Sequence, residues 1–161
     1  STLDDVKNAA AAEMNIVCSA AAIKAAEYLK EKFGTPYEIE YPQSCLPEEI
    51  VQKAYNFTDK NVLVIHNQTA ADAVRKLITE KSGKCHCTSA TFFMQKKELL
   101  QQSDFFLADE SDLCDNVGDN YDVVIADKTL RRVMKNFSGE FIDFPHFGLS
   151  GRLLQGESEK I

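Results

Sequence analysis

Cys18 is the residue with the most chemistry to offer in this sequence. It follows Asn15-Ile16-Val17, a short apolar strand, and stands where the chain turns into a helix expected over residues 19–33. Unpaired backbone N–H groups at a helix start carry partial positive charge, which lowers a thiol pKa and favours thiolate. A thiolate there suits a nucleophile or a soft-metal ligand. The plainer use of a free cysteine is as a small buried hydrophobe. Cys85-His86-Cys87 has the composition of a metal motif but poor geometry, because residues i and i+2 of a strand share a face and the middle one points away. Structural cysteines are the favoured reading. Cys45 and Cys114 are lone thiols read as inert, although Cys45 lies beyond a strand's end. His66 ends an apolar run, and His146 follows Phe144-Pro145. Either could meet a ligand, and either could be an ordinary rim histidine.

Several motifs are absent. No G-x-G-x-x-G follows a strand and there is no G-x-x-x-x-G-K-[ST], which argues against a nicotinamide cofactor or a P-loop nucleotide. There is no G-x-S-x-G elbow. Cys18 is followed by Ser19-Ala20-Ala21-Ala22-Ile23-Lys24, without the glycines and arginine that a cysteine phosphatase loop needs.

The elements that must position these groups alternate strand and helix. Residues 4–13 are Ala-rich and read as helical. Strands are expected at 15–18, 37–41, 62–65, 85–89, 105–108, 123–126 and 141–144. In the helix over 19–33, Ala22, Ala26, Leu29 and Phe33 share one face, Gly34 is the C′ residue and Pro36 blocks continuation. Pro47, Glu48 and Glu49 open a second helix. Thr69 with Asp72 resembles a capping pair for a helix whose apolar face is Ala70, Val74, Leu77 and Ile78, stopped by Gly83. Further helices are expected over 95–102, over 110–117, and from Asp127 as cap to Lys135. The continuous apolar runs at 62–65 and 123–126 mark strands buried on both faces. The fold class is α/β, a Rossmann-like or flavodoxin-like parallel sheet with helices on both faces. The segment 56–60 reads as a boundary, giving a strand-helix-strand-helix segment at 1–55 that carries Cys18, an α/β parallel-sheet domain at 56–150, and a flexible tail at 151–161. Ligands in such sheets bind beyond the carboxyl ends of the strands. That rule selects Cys18, Ser44, Cys45, His66, Asn67, Asp127 and His146.

Composition narrows the class. The chain has 161 residues and a formal charge of −7, enough for a real core but with the wrong sign for a nucleic-acid groove. Lys128, Arg131, Arg132 and Lys135 read as the solvated face of a short helix. No apolar run approaches the roughly 20 residues of a membrane helix, and no signal pattern opens the chain. Five scattered cysteines read as free thiols of a cytoplasmic protein. The sequons at Asn56, Asn67 and Asn136 are read as chance. The abrupt start, without Met, reads as a piece of a longer protein.

Taken in order, the segments resemble the C-terminal part of nitrogenase component 1 proteins, a family that includes dinitrogenase α and β subunits, cofactor-assembly scaffolds and dark-operative pigment reductases. The matching stretches are Asn15-Ile16-Val17-Cys18 with a helix ending Glu31-Lys32-Phe33-Gly34-Thr35-Pro36-Tyr37, then Pro42, then Tyr121-Asp122-Val123-Val124-Ile125-Ala126, then Phe144-Pro145 with Gly151-Arg152. Gly148 stands where the family's last turn usually has aspartate, Ser44 stands in place of a glycine, and the family's N-terminal cysteines are missing. The resemblance implies an oxidoreductase subunit, or a related scaffold, that holds an iron–sulfur-type cluster between α/β domains for multi-electron reduction. It implies Cys18 as a cluster ligand, with His146 as a less well aligned metal ligand and Ser44 and His66 near the cofactor. A homologous partner subunit and an iron-protein-type electron donor are implied partners, with no nucleic acid and no membrane. This stretch alone is expected to be inactive and to bind no cluster by itself. Apart from the resemblance, a small-ligand-binding or regulatory α/β module and a cysteine-nucleophile enzyme resembling phosphocysteine carriers stay open.

Overall fold

A computed structural model describes residues 4, 8–117 and 120–149. Two parallel sheets organise the chain. The first has two strands, β1 (Asn15–Val17) and β2 (Tyr37–Ile39), joined through helix α1 (Ile23–Phe33). The second has five strands: β3 (Asn61–Ile65), β4 (His86–Thr91), β5 (Phe105–Phe106), β6 (Val123–Ala126) and β7 (Glu140–Asp143). Their order is β5-β4-β3-β6-β7, all parallel. From β3 the chain builds outward through β4 to β5, then crosses to β6 and builds the other way. This is the doubly wound order of a Rossmann-like half, and its switch point lies between β3 and β6.

The buried runs behave as expected. Val62 and Val64 face one side, with α2 (Glu48–Lys53) and α3 (Gln68–Ser82). Leu63 and Ile65 face the other, with α4 (Glu110–Val117) and the turns of residues 128–137. Each such side chain, fully withdrawn from water, contributes about 1.5–3 kcal/mol. Ala70, Val74, Leu77 and Ile78 are all buried, as their spacing requires. The expected boundary segment 56–60 contains Phe57, which shares a core with Leu46, Ile50 and Ala54 on one side and with β3 and α3 on the other. Among the described residues no helix is long and apolar enough to cross a membrane.

Several local expectations are corrected. Of the stretch expected to be helical, Asp4 and Asn8 are helical, Ala9–Ala11 form a 3₁₀ turn that ends it before Ala12, and 5–7 lie outside the described residues. The helix after Cys18 opens with a 3₁₀ turn, Ala20–Ala22, before α1 begins at Ile23. Three residues per turn instead of 3.6 shifts the phase. The inward face is therefore Ala20, Ile23 and Ala26, while Ala22 and Phe33 are exposed. Gly34 closes α1 at φ 77° as the left-handed C-terminal residue. Asn67, not Thr69, caps α3: its side chain accepts from Ala70 N at 2.9 Å. Asp72 pairs instead with Arg75 at 2.9 Å.

The helix expected over 95–102 is only a turn at Lys97–Leu99. Here the backbone finds partners in distant side chains. Gln68 Oε1 accepts from Lys96 N at 2.7 Å, Gln68 Nε2 donates to Lys96 O at 3.0 Å, and Asp104 Oδ2 accepts from Gln101 N at 3.0 Å. Backbone groups satisfied in this way no longer need a helix. Asp127 does cap the next element, but that element is 3₁₀, Lys128–Arg132, and stops short of Lys135. The expected tail, 151–161, lies outside the described residues.

Candidate functional site

Parallel strands bring His66, Asn67, Asp127 and His146 to one edge of the larger sheet and Cys18, Ser44 and Cys45 to the matching end of the smaller one, and Thr69–Cys18 and Tyr41–His66 contacts join the two. Cys18 follows β1, and its backbone is tied to the larger sheet: Thr69 Oγ1 donates to Cys18 O at 2.5 Å. Ser44 and Cys45 lie in the exposed turn Gln43–Cys45 beyond β2. His66 and Asn67 follow β3, Asp127 follows β6, and His146 follows β7 by three residues. His66 and Asp127 thus flank the switch point.

The histidines form the buried part of this edge. His66 is 5% exposed and His146 8%. Their ring centroids lie 4.5 Å apart. His66 stacks on Phe144 at 4.0 Å, and His146 stacks on Phe93 at 4.0 Å. Tyr41 meets the edges of both His66 and Phe144, at 6.5 and 6.3 Å. Nε2 of His66 lies 3.3 Å from Pro145 O. A carbonyl only accepts, so this nitrogen carries the hydrogen and Nδ1 is left as a lone-pair acceptor. That Nδ1 is buried and has no hydrogen-bond partner. Burial first, then the neighbouring His146, drives the His66 pKa down to about 3, against smaller upward pulls from Pro145 and Asp127. The ring is neutral at every physiological pH.

His146 is held by two hydrogen bonds, one to Asp127 and one within its own loop. Asp127 Oδ2 accepts from His146 N at 2.8 Å, and Gly148 N donates to His146 Nδ1 at 3.0 Å. Burial lowers its pKa as well, with Asp127 opposing. Because Nδ1 accepts from Gly148, the neutral ring carries its hydrogen on Nε2. Service as a metal ligand through Nε2 would require the proton to move to Nδ1 and the Gly148 bond to be given up. Gly148 itself is required by close approach: a Cβ there would lie 3.0 and 3.2 Å from the Phe93 ring and 3.3 Å from the His146 ring. We expect Gly148→Ala to displace the Phe93–His146 stack at a cost of about 1–2 kcal/mol, read as lowered thermal stability with altered His146 ring resonances. Unchanged resonances would show that the stack does not depend on this glycine.

The thiols form the exposed part. Cys18 and Cys45 are both exposed. The expected lowering of the Cys18 pKa is reversed: partial burial pushes it up, and the charge of a Cys45 thiolate adds to the rise. The reason is local. Ser19 is the capping residue and its hydroxyl takes the first free amide, that of Ala21 at 3.4 Å. Cys18 stands one residue outside the cap, and its own Sγ turns back towards Ile16 O at 4.0 Å. Tyr41 is pushed up too, by burial and then by Cys45 and Cys18. Tyr41 lies between the Cys45 turn, whose carbonyl it reaches at 3.5 Å, and the histidine–phenylalanine stack. A cleft of about 220 Å³ opens beside it, bordered by Gln43, Thr69 and Lys76.

Elsewhere the strand geometry separates Cys85 and Cys87 from His86. Both thiols pack against the core and His86 is exposed. Burial pushes Cys87 up to about 12. Cys114 lies on the opposite layer, near Val133 O at 3.6 Å. Among the described residues no group of three or more His, Cys, Asp and Glu side chains is placed to hold a metal ion.

Sequence reading missed Tyr41, Phe93 and Thr69 as parts of this edge. Tyr41 could have been found as the last alternating residue of its strand. Phe93 carries no local signal, because its partner His146 is contributed by a distant loop.

No protein-family model matches the chain. No curated protein matches it either. Among solved structures, the chain is similar to one described as "Nitrogenase Cp1 at pH 6.5", with a TM-score of 0.54 and 14% identity over 92% of this chain. The fold is nitrogenase-like. This chain corresponds to 42% of that one, so it spans less than half the length of its structural neighbour. At this identity the likeness speaks for the α/β architecture.

Proposed function

We propose that this chain is part of a nitrogenase component 1-like oxidoreductase subunit, or of a related cluster-assembly scaffold, and that its strand-end edge forms one wall of a metal-cluster site. The observation that carries the reading is the exposed Cys18 thiol, anchored through Thr69 at the same edge as the switch-point residues His66 and Asp127. Sulfur is the donor that suits iron–sulfur chemistry. An iron–sulfur-type cluster, when bound, would supply electron storage. The residues of this chain ligate, shape the wall and exclude water. Cys18 is the ligand; Ser44 stands on the exposed turn beyond β2; the stacked Phe144, His66, His146 and Phe93 rings form an apolar, neutral floor.

The raised Cys18 pKa weighs between readings. A metal displaces the thiol proton as it binds, so a raised pKa is tolerated. A cysteine nucleophile must ionise unaided, and this site opposes it. The cleft beside Tyr41, about 220 Å³, falls short of the roughly 300–1,000 Å³ usual for small-ligand pockets. A homologous partner subunit and an iron-protein-type donor complete the proposed assembly.

The test uses the longer protein, purified anaerobically and assayed for iron and acid-labile sulfide. Iron and sulfide are expected together, with most of both lost in Cys18→Ala. A protein free of iron, or one whose iron and colour survive Cys18→Ala unchanged, ends this reading.

A further inference from the structure

A cavity of about 710 Å³ opens on the other layer of the sheet, between α4 and residues 132–137. That volume falls within the roughly 300–1,000 Å³ usual for small-ligand sites. Its floor is the core: Val117, Met134 and Phe137 line it and are buried. One wall is α4, which supplies Glu110 and Cys114, one helical turn apart on one face. The facing wall exists because the 3₁₀ turn stops at Arg132. Local bonds shape the chain beyond it, Val133 N donating to Leu130 O at 3.0 Å and Phe137 N to Met134 O at 3.2 Å. The walls meet where Cys114 Sγ lies 3.6 Å from Val133 O. The basic residues of this segment are not equivalent. Arg131 is engaged: Nη1 donates to Phe137 O at 3.1 Å, and the guanidinium lies 5.6 Å from the Phe137 and Phe141 ring centroids. Lys128 N donates to Asp143 Oδ1 at 2.8 Å, which sets that residue beside a carboxylate. Arg132 and Lys135 border the cavity and are exposed, and among the described residues neither forms an ion pair. Glu110 is the carboxylate on the rim. Two cations against one carboxylate leave a net positive rim on a chain whose formal charge is −7.

We propose that this cavity binds a small amphipathic monoanion, an aromatic or aliphatic body that bears one carboxylate or sulfonate. The apolar floor takes the body, with release of water from both surfaces as the driving force. Arg132 and Lys135 take the anionic head through charge-assisted hydrogen bonds. Glu110 opposes a second negative charge, which sets this class apart from nucleotides and other polyphosphates. The site shares no residue with the Cys18 edge, so it stands independently of the metal-cluster reading.

The probes are two fluorescent dyes of closely similar body, anilinonaphthalene sulfonate and the uncharged phenylnaphthylamine, titrated into the full chain. The wild type is expected to take one sulfonate with a dissociation constant of about 10–100 µM, and to bind the uncharged dye about tenfold more weakly. Removing both cations, in Arg132→Gln with Lys135→Gln, should weaken the sulfonate about tenfold or more and leave the uncharged dye unchanged. Lys128→Gln makes the same kind of charge change outside the cavity and should match the wild type. Cys114→Phe fills the space between the walls and should weaken both dyes. All four substituted residues are exposed, and thermal melts check that each variant is folded. A wild type that binds neither dye overturns the site. Equal affinity for the two dyes, or full sulfonate affinity in the variant without Arg132 and Lys135, overturns the anion selectivity and the proposal with it. Binding that survives Cys114→Phe unchanged places the dye elsewhere and overturns it as well.

Discussion

Acidification from pH 6.5 towards 3 will destabilise this protein, and His66→Phe will remove most of that loss. The folded-state pKa of His66 is lowered to about 3 from an ordinary value of 6.5. Between those values the unfolded chain holds a proton on this ring and the folded chain does not. Its share of the stability is fully present above pH 6.5 and is lost as pH falls towards 3. One such group contributes about 1.4 kcal/mol per pH unit across the window, or roughly 5 kcal/mol at its full extent. Folded domains are typically stable by only about 5–15 kcal/mol, so the effect is a large share of the total and should show as a marked loss of stability by pH 4. Asp72 and Asp143 have carboxyl pKa values raised by burial. They act in the opposite direction, His146, whose pKa burial also lowers, acts in the same direction as His66, and all three are common to both proteins.

Phenylalanine preserves the ring that stacks on Phe144 at 4.0 Å and removes the titration. It also leaves Pro145 O without its donor, costing about 1 kcal/mol at neutral pH. The two stability curves, measured by chemical denaturation from pH 7 to 4, should therefore cross, with the variant less stable at pH 7 and more stable at pH 4. Parallel curves would show that His66 is not the group that sets acid sensitivity.

Asp104→Ala is expected to cost about 3–5 kcal/mol, the range for breaking a buried ion pair from one side. The Asp104 side chain is 5% exposed and the Arg75 side chain 9%. Asp104 Oδ1 binds Arg75 and also accepts from Ser89 N at 2.9 Å, while Oδ2 accepts from Gln101 N at 3.0 Å. One carboxylate therefore neutralises a buried guanidinium and ties β4 to the loop that leads into β5. Alanine leaves the guanidinium with the more exposed Asp72 as its remaining carboxylate and strands two backbone donors. Arg75 Nε already lacks a partner, so the guanidinium has little further room for loss. Asp72, which pairs with the same Arg75 at 2.9 Å, is 26% exposed. Asp72→Ala should cost about 1 kcal/mol or less, as more exposed pairs do. The measurement is a pair of urea or guanidinium unfolding curves. Equal losses from the two substitutions would mean that burial does not set the energetics here.

The amino-acid sequence by itself determined the parallel sheet and the edge where function is sought. Continuous apolar runs such as Val62-Leu63-Val64-Ile65 are stable only with both faces covered, and alternation with helices forces the strands to run parallel. Once they do, all carboxyl ends fall on one side. Cys18, Ser44, Cys45, His66, Asn67, Asp127 and His146 could therefore be named without coordinates. Helix ends at Gly34 and Gly83 were legible because a left-handed or strained stop is a local property.

The tertiary structure decided what distant partners decide. Residues 95–102 lost their helix because Gln68 and Asp104 satisfied the backbone instead. Residue Cys18 lost its expected acidity because Ser19 took the cap and burial outweighed a partial dipole one residue away. Phe93, which has no local motif, became the stacking partner of His146. The hydrogen on His66 was settled by Pro145, and that on His146 by Gly148, both through chain folding beyond β7. Pairing across such separations depends on where loops return. A local pattern carries no record of that, whereas strand period and turn chemistry are written in neighbouring residues.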